Sequence, residues 1–239
     1  MITFAYPLIK STSGWDEIKY SLRSVYKYYQ GEWQPLIIGY KPPWYTGWHI
    51  PYYDNVGIPS EANKILVAAS LVPEFVWMND DIYFLKPTDL EFIKQPLVLG
   101  NMDNARRPQN LNKWRQHAWR TYDALKAKGY PGWNNSVHMP YYYKSDLLIK
   151  TMQDFQYMPG KHLINLIYFN VNLGDKKPIL FNGRRGYYAP PKIIRDLNVA
   201  RYLNHSDAGL TDELKKLIIN MFPERSRWEN ESRSELQDR

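Results

Sequence analysis

Residues 75–87 read Phe-Val-Trp-Met-Asn-Asp-Asp-Ile-Tyr-Phe-Leu-Lys-Pro. Phe75 to Met78 form a short apolar run of the kind expected for a fully buried strand. Asn79, Asp80 and Asp81 end that run, and Ile82, Tyr83 and Phe84 resume it. Two adjacent carboxylates between apolar runs are costly to bury unless positive charge compensates them. A hard divalent cation does so, because Mg²⁺ or Mn²⁺ prefers oxygen ligands and commonly shares one or two carboxylates with substrate phosphates. At the carboxyl end of a sheet strand, the pair would also sit where open α/β folds bind their ligands. Asp80 and Asp81 are therefore the candidate metal ligands. The plainer alternative is a polar turn whose Asp side chains are satisfied by backbone N–H groups.

On the N-terminal side, Ile2 to Ile9 reads as a first strand, followed by a Ser/Thr/Gly loop at 11–14. Trp15 to Tyr29 has the spacing of an amphipathic helix, with Ile18, Leu22, Val25, Tyr26 and Tyr29 on its inner face. Leu36 to Tyr40 reads as a second strand closed by Lys-Pro-Pro, and 51–56 as a third. Ser60 is placed to cap a helix whose buried stripe is Ala62, Ile65, Leu66 and Ala69, and the strand carrying the acids follows directly. Strands alternating with helices predict an α/β fold with a largely parallel sheet.

On the C-terminal side, the pattern predicts a short helix at 89–93 and a strand at 97–100. A basic helix at 110–128 follows, with Leu111, Trp114, Ala118, Tyr122 and Leu125 inward. After a Gly-Tyr-Pro-Gly break, His138 lies in a polar loop before another helix at 143–155. A lone His is most often structural or solvated. Chemistry is what nominates this one, since imidazole titrates near neutral pH and accepts a proton from an attacking hydroxyl. Gly183-Arg184-Arg185-Gly186 reads as a loop with two cations for phosphates, or equally as a solvated turn. A last helix, 211–221, buries Leu214, Leu217, Ile218 and Met221, and beyond 229 a charged tail is expected to fray.

The bulk composition limits the classes available. The chain has 239 residues, 44% of them hydrophobic and 23% charged, as in an ordinary globular protein. It has no cysteine, which excludes disulfides and thiolate metal sites. No leader or membrane span is visible, and a cytoplasmic protein is expected. The net charge of +7 is concentrated: residues 101–130 and 175–201 each hold seven Lys/Arg against two Asp. Two basic segments suit a polyanionic partner or a phosphate-bearing substrate. Twenty Tyr and nine Trp suit stacking on sugars or bases, although packing accounts for most such excess.

Four stretches, in this order, carry a resemblance: Asp16-Glu17-Ile18-Lys19-Tyr20-Ser21-Leu22-Arg23-Ser24-Val25; Phe75 to Asp81; Val137-His138-Met139-Pro140; and Tyr202-Leu203-Asn204 with Met221-Phe222-Pro223-Glu224-Arg225-Ser226-Arg227-Trp228-Glu229. They resemble three signature blocks of the Stealth family, a group of sugar-phosphate transferases of bacterial capsules and of animal lysosomal glycoproteins. The first two stretches are similar to "DELRYSLRS" and to the "NDD" ending of one block. The third is similar to "AHMP", and the last to a block ending "MFPxPSxFE". The family's opening "TWVDG"-like block has no match; Phe4-Ala5-Tyr6-Pro7-Leu8 stands in its place.

The resemblance implies a GT-A-like (Rossmann-like) transferase core over 1–229, with the basic helical stretch at about 101–133 as an insertion. It implies a nucleoside-diphosphate sugar donor and Mn²⁺ or Mg²⁺. Asn79, Asp80 and Asp81 would form the metal and diphosphate site, with Arg23 near the donor phosphates and His138 activating the acceptor. Ser60, Glu61, Asn63 and Lys64 occupy the stretch where such enzymes often touch the nucleotide, and Arg184 and Arg185 would complete the phosphate clamp. The expected acceptor is a glycan hydroxyl. The basic helix suggests instead hydroxymethylated bases in DNA. A third expectation is a non-enzymatic basic binder of nucleic acid or carbohydrate.

Overall fold

A computed structural model of the chain describes residues 1–10, 14–54, 58–174, 177–181, 186–188 and 200–230. The elements run β1 (Ile2–Leu8), α1 (Glu17–Tyr28), β2 (Trp33–Gly39), β3 (Trp48–Ile50), α2 (Ile58–Leu71), β4 (Glu74–Trp77), β5 (Tyr83–Phe84), α3 (Leu90–Ile93) and β6 (Leu97–Val98). They continue with α4 (Lys113–Ala127), β7 (Tyr141–Lys144), α5 (Ser145–Phe155), α6 (Ile164–Val171), β8 (Ile179–Leu180), β9 (Gly186–Tyr188), β10 (Tyr202–His205) and α7 (Asp212–Met221). The fold is α/β, with a five-stranded sheet in the order β3-β2-β1-β4-β7. β1 pairs with β2 and β2 with β3, both in parallel. This strand order is compatible with a Rossmann-like arrangement.

The chain divides into two compact units. Unit 1 takes in the described residues of Met1–Asp54, Val76–Leu90 and Gly183–Arg239; unit 2 takes in those of Asn55–Phe75 and Glu91–Asn182. In unit 1, β1 and β2 are buried almost throughout, so they read as apolar runs rather than as alternating strands. A second core forms where β5 pairs antiparallel with β10. Tyr83 and Leu203 from these strands pack with Leu214, Ile218 and Phe222 at and beyond α7, and Thr211 caps that helix through the Leu214 amide. Unit 2 is mostly helical, with α5 packed on α2 and α6, and α6 on α4.

Several predicted boundaries and faces change. The third strand lies at Trp48–Ile50, ahead of the predicted 51–56, because Pro51 ends it. Ser60 is a residue of α2 rather than its cap, since the helix has already begun at Ile58. The predicted 143–155 helix is two elements: β7, then α5 from Ser145. On α1, Tyr26 faces outward at 46% exposure, while Ser21, Arg23 and Ser24 are buried. On α4, Trp114 is exposed, and His117 and Thr121 take the inner face with Ala118 and Leu125. In both helices the buried polar residues have specific bonding partners, and those partners override the apolar spacing.

Candidate functional site

The topology of unit 1 singles out one location. The chain passes outward from β1 through β2 to β3, then returns to the other side of β1 to form β4. This reversal is the switch point at which open α/β sheets bind ligands, outside the carboxyl ends of the strands. β1 ends at Leu8, whose carbonyl accepts from the Tyr40 amide just past β2. Past the end of β4, the Met78 amide donates to the Ala5 carbonyl at 2.9 Å. A shallow, open pocket of about 20 Å³ lies there and is lined by Leu8, Trp15, Asp16, Glu17, Tyr40 and Asp80 among others.

Asp80 and Asp81 occupy the centre of a turn closed by Ile82 N–H to Asn79 O at 3.3 Å. All three polar residues, Asn79, Asp80 and Asp81, are half-buried. The polar turn and the candidate acid site are therefore the same structure. The turn is held by α1: Ser21 Oγ donates to the Ile82 carbonyl at 2.7 Å, and Ser24 Oγ accepts from the Phe84 amide at 2.9 Å. These bonds explain why α1 buries two serines.

Glu17, in the first turn of α1, joins the acids. Its carboxyl pKa is pushed up to about 8, first by burial and then by the charges of Asp80, Asp81 and Asp207. His205, at the end of β10, has Nε2 3.1 Å from the Tyr83 hydroxyl and 4.0 Å from Glu17 Oε1. The rings of Tyr83 and His205 stack at 5.9 Å. Burial, followed by Glu17, Asp81 and Asp80, drives the Tyr83 phenol well above its ordinary range, so it stays protonated. Sequence reasoning missed Glu17, His205 and Asp207 as site residues. An acid in a helix's first turn reads as an ordinary dipole partner, and nothing local marks His205 until the pairing of β5 with β10 brings it beside Tyr83.

Arg23, expected near donor phosphates, is engaged elsewhere in unit 1. It is 8% exposed, and its Nε and Nη2 bond the Glu229 carboxylate at 2.7–3.1 Å, the shortest from Nη2. Nη1 donates to the carbonyls of Phe222 and Pro223. Ser226 donates from its amide and its hydroxyl to the same carboxylate. The guanidinium thus fastens the C-terminal segment to α1.

His138, Asn63 and Lys64 belong to unit 2. His138 is half-buried in a bend between the buried Val137 and Met139, just before β7. Its loop is fixed from α6: Asn170 accepts from the Trp133 amide at 2.8 Å and donates to Asn135 Oδ1 at 3.2 Å. Tyr141 donates from its hydroxyl to the carbonyls of Asn135 and Val137. Asn63 is half-buried on α2, and Lys64 is buried at 2% exposure. Arg184 and Arg185 lie outside the described residues.

Among the described residues no group of three His, Asp or Glu side chains is gathered closely enough to hold a metal by itself. A hard cation that takes one or two carboxylates and completes its shell with phosphates and water does not need such a group. Burial first, and then the charges of Asp80, Asp81 and Asp207, push Glu17 up, and a cation on the acid turn would relieve the charge part of that. No helix among the described residues is long and apolar enough to cross a membrane. No family model matches the chain, and no curated protein matches it.

Proposed function

We propose that this chain is a metal-dependent transferase whose donor is a nucleoside-diphosphate sugar, bound at the carboxyl ends of β1, β2 and β4. The observation that carries the reading is the crowding of Asp80, Asp81 and Glu17 beside a pocket at the point where the strand order reverses. Bound there, Mn²⁺ or Mg²⁺ would neutralise the diphosphate and stabilise the departing nucleotide. Asp80 and Asp81 would hold the cation, and the Asn79 amide would orient a phosphate oxygen. The acceptor hydroxyl gives its proton to a base, the part that the sequence resemblance assigns to His138. Attack at the β-phosphorus releases a nucleoside monophosphate and leaves a sugar-1-phosphate ester. Attack at the anomeric carbon releases a nucleoside diphosphate and leaves a glycoside.

A second reading keeps the chemistry and changes the acceptor to hydroxymethylated bases in DNA. It is favoured by the exposed Lys113, Arg115, Arg120 and Lys128 on and just beyond α4, with Trp114 exposed among them.

The test is nucleotide release from a panel of UDP-, GDP-, CDP- and ADP-sugars with Mn²⁺, with Asp81→Ala as the control. Monophosphate release that Asp81→Ala abolishes supports sugar-phosphate transfer, and diphosphate release supports glycosyl transfer. No release from any donor, with glycans and modified DNA supplied as acceptors, would leave a non-enzymatic binder.

A further inference from the structure

The donor site leaves a second cavity unused. It lies wholly within unit 2 and measures about 280 Å³, close to the ~300 Å³ at which small-molecule pockets begin. Tyr142, Tyr168 and Phe169 form its aromatic wall, Leu147 and Leu173 add apolar surface, and Lys94, Lys144 and Asn172 supply the polar groups. A smaller pocket shares Tyr142 and Phe169 with it and is lined by Val137 and Met139, the residues on either side of His138.

The chemistry of the lining narrows the ligand. The rings of Tyr168 and Phe169 meet at 84° with centroids 5.2 Å apart, a corner rather than a parallel slot. A puckered sugar ring presents C–H groups in several directions and fits a corner. Asn172 spends both Nδ2 hydrogens, on Thr151 Oγ1 at 2.9 Å and on the Tyr168 carbonyl at 2.8 Å, which leaves Oδ1 to accept from a hydroxyl. The Tyr142 hydroxyl already donates to Glu74.

Two cations remain. Lys144 is exposed and has no ion-pair partner among the described residues. The Lys94 ammonium lies 5.3 Å from the Tyr142 ring centroid and pairs with Glu91, whose side chain is 80% exposed. Surface pairs of this kind contribute little and exchange readily for a better anion.

We propose that this cavity binds an acidic monosaccharide unit, its ring in the Tyr168–Phe169 corner and its carboxylate or phosphate on Lys94 and Lys144. That the unit belongs to the acceptor rests on the transferase reading; the binding itself does not. On that reading an acidic glycan is the substrate class.

The experiment is ligand binding to the whole chain without donor or metal, by saturation-transfer NMR and calorimetry. The probes are a glucuronate-containing oligosaccharide, a hexose 6-phosphate, a neutral oligosaccharide and a single-stranded oligonucleotide. At least one acidic sugar should bind about tenfold more tightly than the neutral one, and whichever binds better identifies the anion. Lys144→Glu should weaken that binding by about tenfold or more, as expected for loss of a charged hydrogen bond. Leu147→Trp should fill the cavity and abolish binding, with unchanged melting showing that the fold is intact. Equal binding of the neutral sugar, binding of the oligonucleotide alone, or indifference to both variants would overturn the proposal. Failure of nucleotide release with sugar binding intact would refute the transferase reading and leave the cavity's assignment standing.

Discussion

Arg23 separates a structural role from a substrate-binding one, and the structure says how large the structural effect should be. Arg23→Met keeps the aliphatic stem and removes the guanidinium. The change deletes the hydrogen bonds to Glu229 and to the Phe222 and Pro223 carbonyls. The Glu229 side chain, 1% exposed, would then be a buried carboxylate with only the Ser226 donors left. Removing one partner of a buried pair costs ~3–5 kcal/mol because the other charge stays buried. That is a large part of the ~5–15 kcal/mol that holds a typical domain. With a urea slope of ~3 kcal/mol/M, the midpoint should fall by about 1–1.7 M. Tryptophan fluorescence suits the assay, because Trp228 lies next to Glu229 and 4.3 Å from Trp33 between ring centroids. Arg23→Met/Glu229→Leu should recover much of the loss, since an apolar pair leaves no orphaned charge. A midpoint within about 0.3 M of the parent, together with loss of nucleotide-sugar binding, would refute this reasoning and return Arg23 to the donor phosphates.

Three other outcomes follow from particular groups. Gln156 sits in the left-handed region at φ 58°, ending α5 with its own amide on Gln153 and the Tyr157 amide on Met152. Gln156→Gly should stabilise the chain by about 0.5 kcal/mol, read as a small rise in melting temperature. Glu17 holds its proton up to about pH 8 in the folded state, so folding loses stability as pH rises from the ordinary carboxyl range through 8. Glu17→Gln should therefore melt higher than the parent at pH 8.5 without divalent cation and match it near pH 4; a gap of equal size at both would refute the assignment. His162 is buried, and burial followed by Arg120, Lys161 and His117 lowers its pKa. The folded state then binds fewer protons than the unfolded one, so stability falls as pH drops below ~6.5. His162→Gln should flatten that acid limb in a melting-versus-pH series.

The α/β class was legible because β1, β2 and β4 are buried on both faces and spelled as apolar runs, with α1 and α2 between them. The Asp80–Asp81 turn was legible for the complementary reason, as two acids interrupting a buried strand signal. What could not be read from local pattern depends on pairing distant in sequence. β7 and α6 were missed because Tyr-Tyr-Tyr-Lys lacks a strand's alternation and α6 is apolar nearly all round. The inner face of α4 was misassigned because His117 and Thr121 are buried by particular bonds. Thr121 Oγ1 accepts from the Leu163 amide, and the His117 ring meets the Lys161 carbonyl.

The Tyr-Ser-Leu-Arg-Ser stretch holds two distant segments in place. Ser21 and Ser24 bond the segment that follows the acid turn, and Arg23 anchors the C-terminal segment through Glu229. Only Glu17, one turn earlier on the same helix, comes among the acids. α1 therefore delivers one carboxyl group to the pocket and uses its next two turns to fix the turn that carries Asp80 and Asp81, of which Asp80 lines it. Adjacent carboxylates repel one another, so the turn that carries Asp80 and Asp81 needs an imposed position, and the buried serine bonds impose it. The substitutions separate these roles: Ser24→Ala or Arg23→Met should lower stability, with any loss of cation binding following from displacement of the turn. Asp81→Asn should remove Mn²⁺ binding while leaving the urea midpoint close to that of the parent. Were Asp81→Asn to unfold the chain instead, the acid turn would be a structural element and the donor site would have to lie elsewhere.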